Sequence, residues 1–464
     1  MRKTLSTILI FVITVGSALS LTINKIDSLE AQLLVTQSEE KVKTLINLSE
    51  AYRNIVYNDC IKYGTEAVEL ADKLNNKKLK ALALKSLGVS SYYSGDMDIS
   101  LGYYSQSLEL FQEIDDKKGQ ASCLNNIGNV YEEWANFNKA VDYYTQSFKM
   151  EEILNNKEGM AISLLQIGNI SFYRANYQEA LDNYYRALLI FTEIEDMGGI
   201  AYSYNSIGII FRKWNKFEKA LDYYSKAKIL YSETNNKRAL SQVLNNMGEI
   251  YNSELKDYKT ALKLYNEALQ LKKSIDDVVG IALLNNNLGT LYANMEDSKK
   301  ALEFFNNSLK MYQELGVSTG VVMVNFNLGD IYQDSDKTKI AIDYFKKSLD
   351  MAKKIGQVEY INSNYEALIH CYASLGEYDE FEKYFRLFSI RKDSLINKLH
   401  ELEMNEMETK YKVEESIRES VQLQKANEEK EKEINKYKFL LIGVGGAIIL
   451  LIFVYILFLR IRKK

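Results

Sequence analysis

The chain has 464 residues, 47% hydrophobic and 26% charged, the balance of an ordinary folded protein. A formal net charge of -4 argues against a nucleic-acid-binding surface, and two histidines cannot build a catalytic triad or a metal cluster. The three cysteines, Cys60, Cys123 and Cys371, stand at unrelated places in the pattern described below; they support neither a disulfide framework nor a metal site and are expected to pack in the core.

Arg2 and Lys3, an apolar run from about Leu5 to Val15, and the small-x-small site Ala18-Leu19-Ser20 read as a secretory signal peptide over 1–20. Residues 21–40 are expected to form a leading helix. From Lys41 onward the chain copies itself at a spacing of about 40 residues, the mark of a solenoid whose units bury their apolar faces only by stacking. The unit is clearest in Ala121 to Met160. Its glycine, Gly128, recurs as Gly88, Gly168, Gly208, Gly248, Gly289 and Gly329. Leu124, Ile127, Gly128 and Tyr131 make one helical stripe; Phe137, Ala140, Tyr144, Ser147 and Phe148 make a second after a break at Ala135-Asn136. Each unit is therefore a helical hairpin, with Gly128 and Ala140 small where the helices approach closely. Between units stand Asn75-Asn76, Asp115-Asp116, Asn155-Asn156, Asn235-Asn236 and Asp276-Asp277, residues suited to turns and caps in a chain without proline.

The order leucine or another apolar residue, glycine, aromatic, then a small residue twelve places after the glycine, followed by an aromatic and a second small residue, resembles the tetratricopeptide repeat (TPR). Nine units can be placed, beginning near Lys41, Ala81, Ala121, Ala161, Ala201, Ser241, Ala282, Val322 and Asn362. The long period is similar to that of kinesin light chains and the Pins scaffolds. The resemblance implies an all-α, right-handed superhelical solenoid over 41–388. A one-residue insertion between Asn252 and Asp257 is expected to lengthen one turn and leave the core alone.

Residues 389–438 turn to Glu, Lys and Gln without a turn signal, as a charged helical stalk would; whether it pairs as a coiled coil is open. Phe439 to Leu459 is an unbroken apolar run long enough to span a bilayer, and the basic tail 460–464 fixes the C-terminus in the cytoplasm. The two ends agree on one topology: a single-pass protein of the cytoplasmic membrane with its repeats on the periplasmic, extracytoplasmic side. A homodimer through stalk or span is left open.

His400-Glu401-Leu402 is similar to the phosphoacceptor helix of sensor histidine kinases, but the topology places it outside and no glycine-rich nucleotide-binding segment accompanies it. No enzymatic role, catalytic residue, metal or cofactor is expected. The candidate site is a row. With each unit's glycine as its eighth position, positions 5 and 9 lie on one face of the first helix, away from the core stripe. There stand Asn125, Asn129, Asn169, Asn205, Asn245, Glu249, Asn286 and Asp330. In TPR proteins this face lines the concave groove, and in the long-repeat scaffolds asparagines there hold an extended peptide by its backbone. A carboxamide offers a peptide unit both donor and acceptor. The architecture as a whole resembles the exported sensory half of Bacteroidetes-type TPR sensor kinases and regulators, without the output domain. It implies a membrane-anchored module binding a peptide or protein for sensing or scaffolding, the alternative being a truncated or split sensor kinase.

Overall fold

The computed structural model describes residues 24–53, 55–335 and 337–390. The expected signal peptide, most of the stalk with His400, the span 439–459 and the basic tail lie outside these residues. Among the described residues no helix is long and apolar enough to cross a membrane.

Helix α1 covers 24–35. There follow α2 (Ser38–Tyr52), α3 (Tyr57–Lys73), α4 (Lys77–Ser94), α5 (Met97–Glu113), α6 (Lys117–Glu133), α7 (Phe137–Ile153), α8 (Lys157–Tyr173), α9 (Tyr177–Glu193) and α10 (Met197–Lys213). Then come α11 (Phe217–Glu233), α12 (Lys237–Ser253), α13 (Tyr258–Ser274), α14 (Val278–Asn294), α15 (Ser298–Glu314), α16 (Ser318–Asp334), α17 (Thr338–Ile355) and α18 (Val358–Leu375). From α2 to α17 they pair as antiparallel hairpins, an A helix followed by a B helix, and each B helix packs on the A helix of the next hairpin. These helices form one compact unit ending at Leu375; a second unit begins at Gly376 and contains α19 (378–390), on which the rings of Phe381 and Phe385 stack at 5.9 Å.

The A helices start about four residues before the unit boundaries read from the repeat, because the capping residue and not the first apolar residue sets the start. Asn76, Asp116, Asn236 and Asp277 each accept a hydrogen bond from a backbone N–H of the first turn (2.8–3.1 Å). The residue before each, Asn75, Asp115, Asn235 or Asp276, has a positive φ of 51–56° and closes the preceding helix. The turns before α7, α13 and α15, inside hairpins, share this device: in the first, Ala135 sits at φ 52°, Asn136 N–H donates to Tyr131 O at 2.8 Å, and Asn136 caps α7. These turns reverse the chain in a few residues without proline. The insertion does what the sequence predicts. The turn between α12 and α13 runs one residue longer, through Lys256 at φ 54°, while Ala261 stays fully buried.

Packing explains the glycine. A Cβ built on Gly88, Gly128, Gly168, Gly208 or Gly248 would lie 2.5–2.7 Å from a ring carbon of Tyr104, Tyr144, Tyr184, Tyr224 or Tyr265; on Gly289 and Gly329 it would meet Phe305 and Phe345. The aromatic of each B helix lies flat on the bare backbone of its A helix, and no other residue leaves room for it. A second contact joins neighbouring hairpins, where Gly119, Gly199 and Gly320 lie under the rings of Phe111, Phe191 and Tyr312. Ala140, Ala180, Ala220, Ala301 and Ala341 are fully buried where the helices cross. Ser107, Ser147, Ser308 and Ser348 donate to A-helix carbonyls 26 residues back (2.7–3.1 Å), so the second small position is also an interhelical clip. Cys60, Cys123 and Cys371 are free and buried, and burial pushes the Cys371 thiol up to about 11.

Candidate functional site

A helices of successive hairpins touch one another, as α4 does α6 and α12 does α14, whereas B helices approach chiefly the A helices on either side. The A helices therefore line the inner, concave side of the curve. Between α8 and α14 that surface opens into a recess of about 490 Å³ lined by Tyr173, Tyr202, Asn205, Ile209, Gln242, Asn245 and Leu283 among others.

The asparagine row lies on this face, but several of its carboxamides are already bonded within the protein. Asn246 Nδ2 donates to Asn205 Oδ1 at 3.3 Å, Asn287 Nδ2 to Asn245 Oδ1 at 2.7 Å, and Asn327 Nδ2 to Asn286 Oδ1 at 2.8 Å. Each bond crosses from one hairpin to the next, so the carboxamides form a ladder along the groove floor. Asn245 and Asn286 are buried in it. Asn245 Nδ2 also donates to Glu249 Oε1 at 2.8 Å, and Glu249 pairs with Arg212 of the preceding A helix. The position-6 asparagines and Arg212 were missed in the sequence, although the doublets Asn245-Asn246 and Asn286-Asn287 were there to be seen.

Toward the N-terminal end the row is tied to tyrosines, the buried Tyr144 and Tyr184 and the exposed Tyr202. Asn169 Oδ1 accepts from Tyr184 Oη at 2.9 Å, and its Nδ2 donates to Tyr202 Oη at 3.1 Å. Tyr144 Oη lies 2.8 Å from Asn129 Oδ1 and 2.6 Å from Glu132 Oε2. One hydroxyl hydrogen cannot serve both acceptors fully, and Asn129 Oδ1 also accepts from Gln166 Nε2 at 3.4 Å, so Tyr144 Oη is shared between an amide and a carboxyl oxygen. Burial, opposed by the Tyr144 bond and aided by Glu133, raises the Glu132 pKa. Asn125 is half-buried on the same face. At the other end Asp330 lies in a smaller recess of about 320 Å³ with Asn294, Asn327, Gln333 and Asp334. Its carboxyl is reached by solvent, yet protein surrounds it on most sides; this crowding, with Asp334 one turn away, pushes its pKa up to about 7.

Lys272 takes the place that Phe111, Phe191 and Tyr312 hold in other hairpins and lies beneath the recess. Its ammonium is buried and bonds Asp277 Oδ2 at 2.6 Å, while Asp277 Oδ1 caps α14. That pair is closed on itself. Among the described residues no group of three or more His, Cys, Asp or Glu side chains could hold a metal ion. The site's means are hydrogen bonding, aromatic surface and charge.

No curated protein is detectably similar to the chain in sequence. Solved structures share its fold at low identity. The apo form of the quorum sensor NprR from B. thuringiensis is 15% identical, with a TM-score of 0.56, covering 77% of this chain and 100% of that one. The Rap conjugation gene regulator of plasmid pLS20, solved in complex with the Phr* peptide, is 12% identical with a TM-score of 0.50, covering 73% and 96%. The model of the tetratricopeptide repeat matches residues 79–152, 159–228, 217–274 and 280–354, together more than half of the chain. With the glycine-on-ring hairpins and the curved stack of A helices, this match establishes that the chain belongs to the tetratricopeptide-repeat family.

Proposed function

We propose that the chain is a binding module that holds an extended peptide, or an extended segment of a protein, along its concave face. The observation that carries this reading is the open recess between α8 and α14, floored by the carboxamide ladder and walled by Tyr173, Tyr202, Ile209 and Leu283. A carboxamide has two donor hydrogens and two acceptor lone pairs, and the ladder uses only part of that capacity. Peptide units laid across it find both kinds of partner, while the recess receives apolar side chains. That a solenoid of this kind can hold a peptide is seen in the Rap complex with Phr*.

The location belongs to the same proposal. The apolar runs near Leu5 to Val15 and at Phe439 to Leu459, with the basic tail after the second, support a module exported and anchored by its C-terminal end. Such a module senses or scaffolds outside the cytoplasm. The stalk between repeats and span would carry a signal to a separate partner, as the resemblance to sensor-kinase sensory halves implies; a split sensor kinase is the other form of that reading.

A photo-crosslinking residue at Tyr202, in the recess, tests the groove against the same residue at Leu189, exposed on the B helix α9. In cells carrying the full chain, a discrete crosslinked species is expected from Tyr202 and not from Leu189. Crosslinks from Leu189 alone would place the partner on the other face. A reporter active only outside the cytoplasm, joined after Phe388, tests the location and is expected to be active.

A further inference from the structure

The charges of the concave face are unevenly paired. In the middle, Arg212 is matched by Glu249 and Lys272 by Asp277. Lys213 stands exposed at the rim nearby. At the α6 end, Glu132 and Glu133 stand among tyrosines of the neighbouring A helices: Tyr92 Oη of α4 donates to Glu133 at 3.1 Å, and both carboxylates act on Tyr173 of α8, which lines the recess. At the α16 end, Asp330 and Asp334 share a recess with the amides of Asn327 and Gln333. Among the described residues none of these four carboxylates has a lysine or arginine partner, although two of them are crowded enough for the charged form to be disfavoured. A surface of this kind gains most from an occupant that brings cations to its two ends and none to its middle.

Resting on the groove reading above, we infer that the occupant is a basic peptide segment: lysine or arginine side chains seat against Glu132 and Glu133 at one end and against Asp330 and Asp334 at the other, with an uncharged stretch over the ladder between. The rings of Tyr92 and Tyr173 add cation–π attraction at the first end. Five steps between A helices separate the ends; at about 8–10 Å per step and about 3.3 Å per residue of extended chain, some 12–15 residues bridge them. Shorter basic peptides would engage one end only and bind more weakly.

The test is selection from a display library of random 20-residue peptides on the full chain in detergent micelles. Three forms are compared: the unaltered protein, a charge-neutral form with Glu132→Gln, Glu133→Gln, Asp330→Asn and Asp334→Asn, and a groove form with Tyr202→Ala and Asn205→Ala. Circular dichroism melts confirm that each is folded. Peptides selected by the unaltered protein should carry at least twice the lysine and arginine of the input, concentrated toward both ends. They should lose 10-fold or more in affinity on the charge-neutral form, and their binding should weaken with salt. Selected peptides that are neutral or acidic, or basic ones that bind the charge-neutral form equally well, overturn the inference. If such charge-indifferent binders are nonetheless lost on the groove form, the groove reading stands and only this inference falls. Failure to select any peptide above background, or binders indifferent to the groove form, overturns both.

Discussion

Replacing Gly208 by alanine adds one carbon at a place where the ring of Tyr224 already lies. The new Cβ would sit 2.6 Å from Cε1 and 2.7 Å from Cδ1 of that ring, and 3.3 Å from the carbonyl oxygen of Ala220. Ordinary contact between carbons is about 3.5–4.0 Å, so ring and helix must separate by roughly 1 Å. Tyr224 is fully buried and cannot swing aside into solvent. Overpacking of this kind costs about 1–3 kcal/mol, offset by about 0.5–1 kcal/mol because alanine is the better helix former; a net loss of about 0.5–2 kcal/mol remains. Gly102 supplies the control. It lies inside α5, and a Cβ there meets nothing within 4 Å. Gly102→Ala should therefore keep the propensity gain of about 0.5–1 kcal/mol with no penalty. Urea and thermal melts of the purified full chain, with amide exchange to localise the change to α10 and α11, measure both. The same substitution should move stability in opposite directions. Were Gly208→Ala to raise the melting temperature as Gly102→Ala does, glycine-on-ring packing would not be what fixes the repeat's glycine.

Ala175 and Glu296 close helices at φ 59° and 62°, a conformation that costs a residue with a Cβ about 1–2 kcal/mol, so Ala175→Gly and Glu296→Gly should each stabilise by about 1 kcal/mol; unchanged or lowered melts would count against strain at the turns. Asn245→Ala removes the acceptor of Asn287 and a donor to Glu249 from a buried place, and should cost about 1–3 kcal/mol, whereas a melt like the parent's would return the row to a merely wet surface. Asp330 has its pKa raised, so the folded state holds its proton more tightly than the unfolded state does, and stability present at low pH is lost as pH climbs from about 4 through about 7. Asp330→Asn should therefore gain on the parent over that window and keep a constant lead above it. Melts of both proteins at pH 4.5, 6 and 8 check this, and a lead that did not change with pH would refute the crowding of that carboxyl.

The groove was only half legible in the sequence. Counting from the glycine put Asn205, Asn245 and Asn286 at equivalent places on A helices, and the structure finds all three on the concave side. That they are spoken for could not be read, because Asn245 is bonded by Asn287, 42 residues away, through a contact that exists only once two hairpins are stacked at a particular tilt. Arg212 escaped notice because an arginine among lysines carries no local sign of its Glu249 partner in the next hairpin.

What the sequence determined by itself is what local physics determines. A period of about 40 residues requires stacking, two apolar stripes per period require a hairpin, and Asn75-Asn76 or Asp276-Asp277 can both close one helix and cap the next within two residues. These follow from backbone preferences and face periodicity, which act within a turn or two of the chain. Tertiary structure decided what depends on distance across units. It chose the ring that lies on each glycine, seated Lys272 where other hairpins place an aromatic, linked the carboxamides into a ladder, and left the carboxylates at the two ends of the groove without a lysine or arginine partner among the described residues. Each is settled by how neighbouring hairpins approach, and that approach is a sum of many side-chain volumes that no single repeat contains.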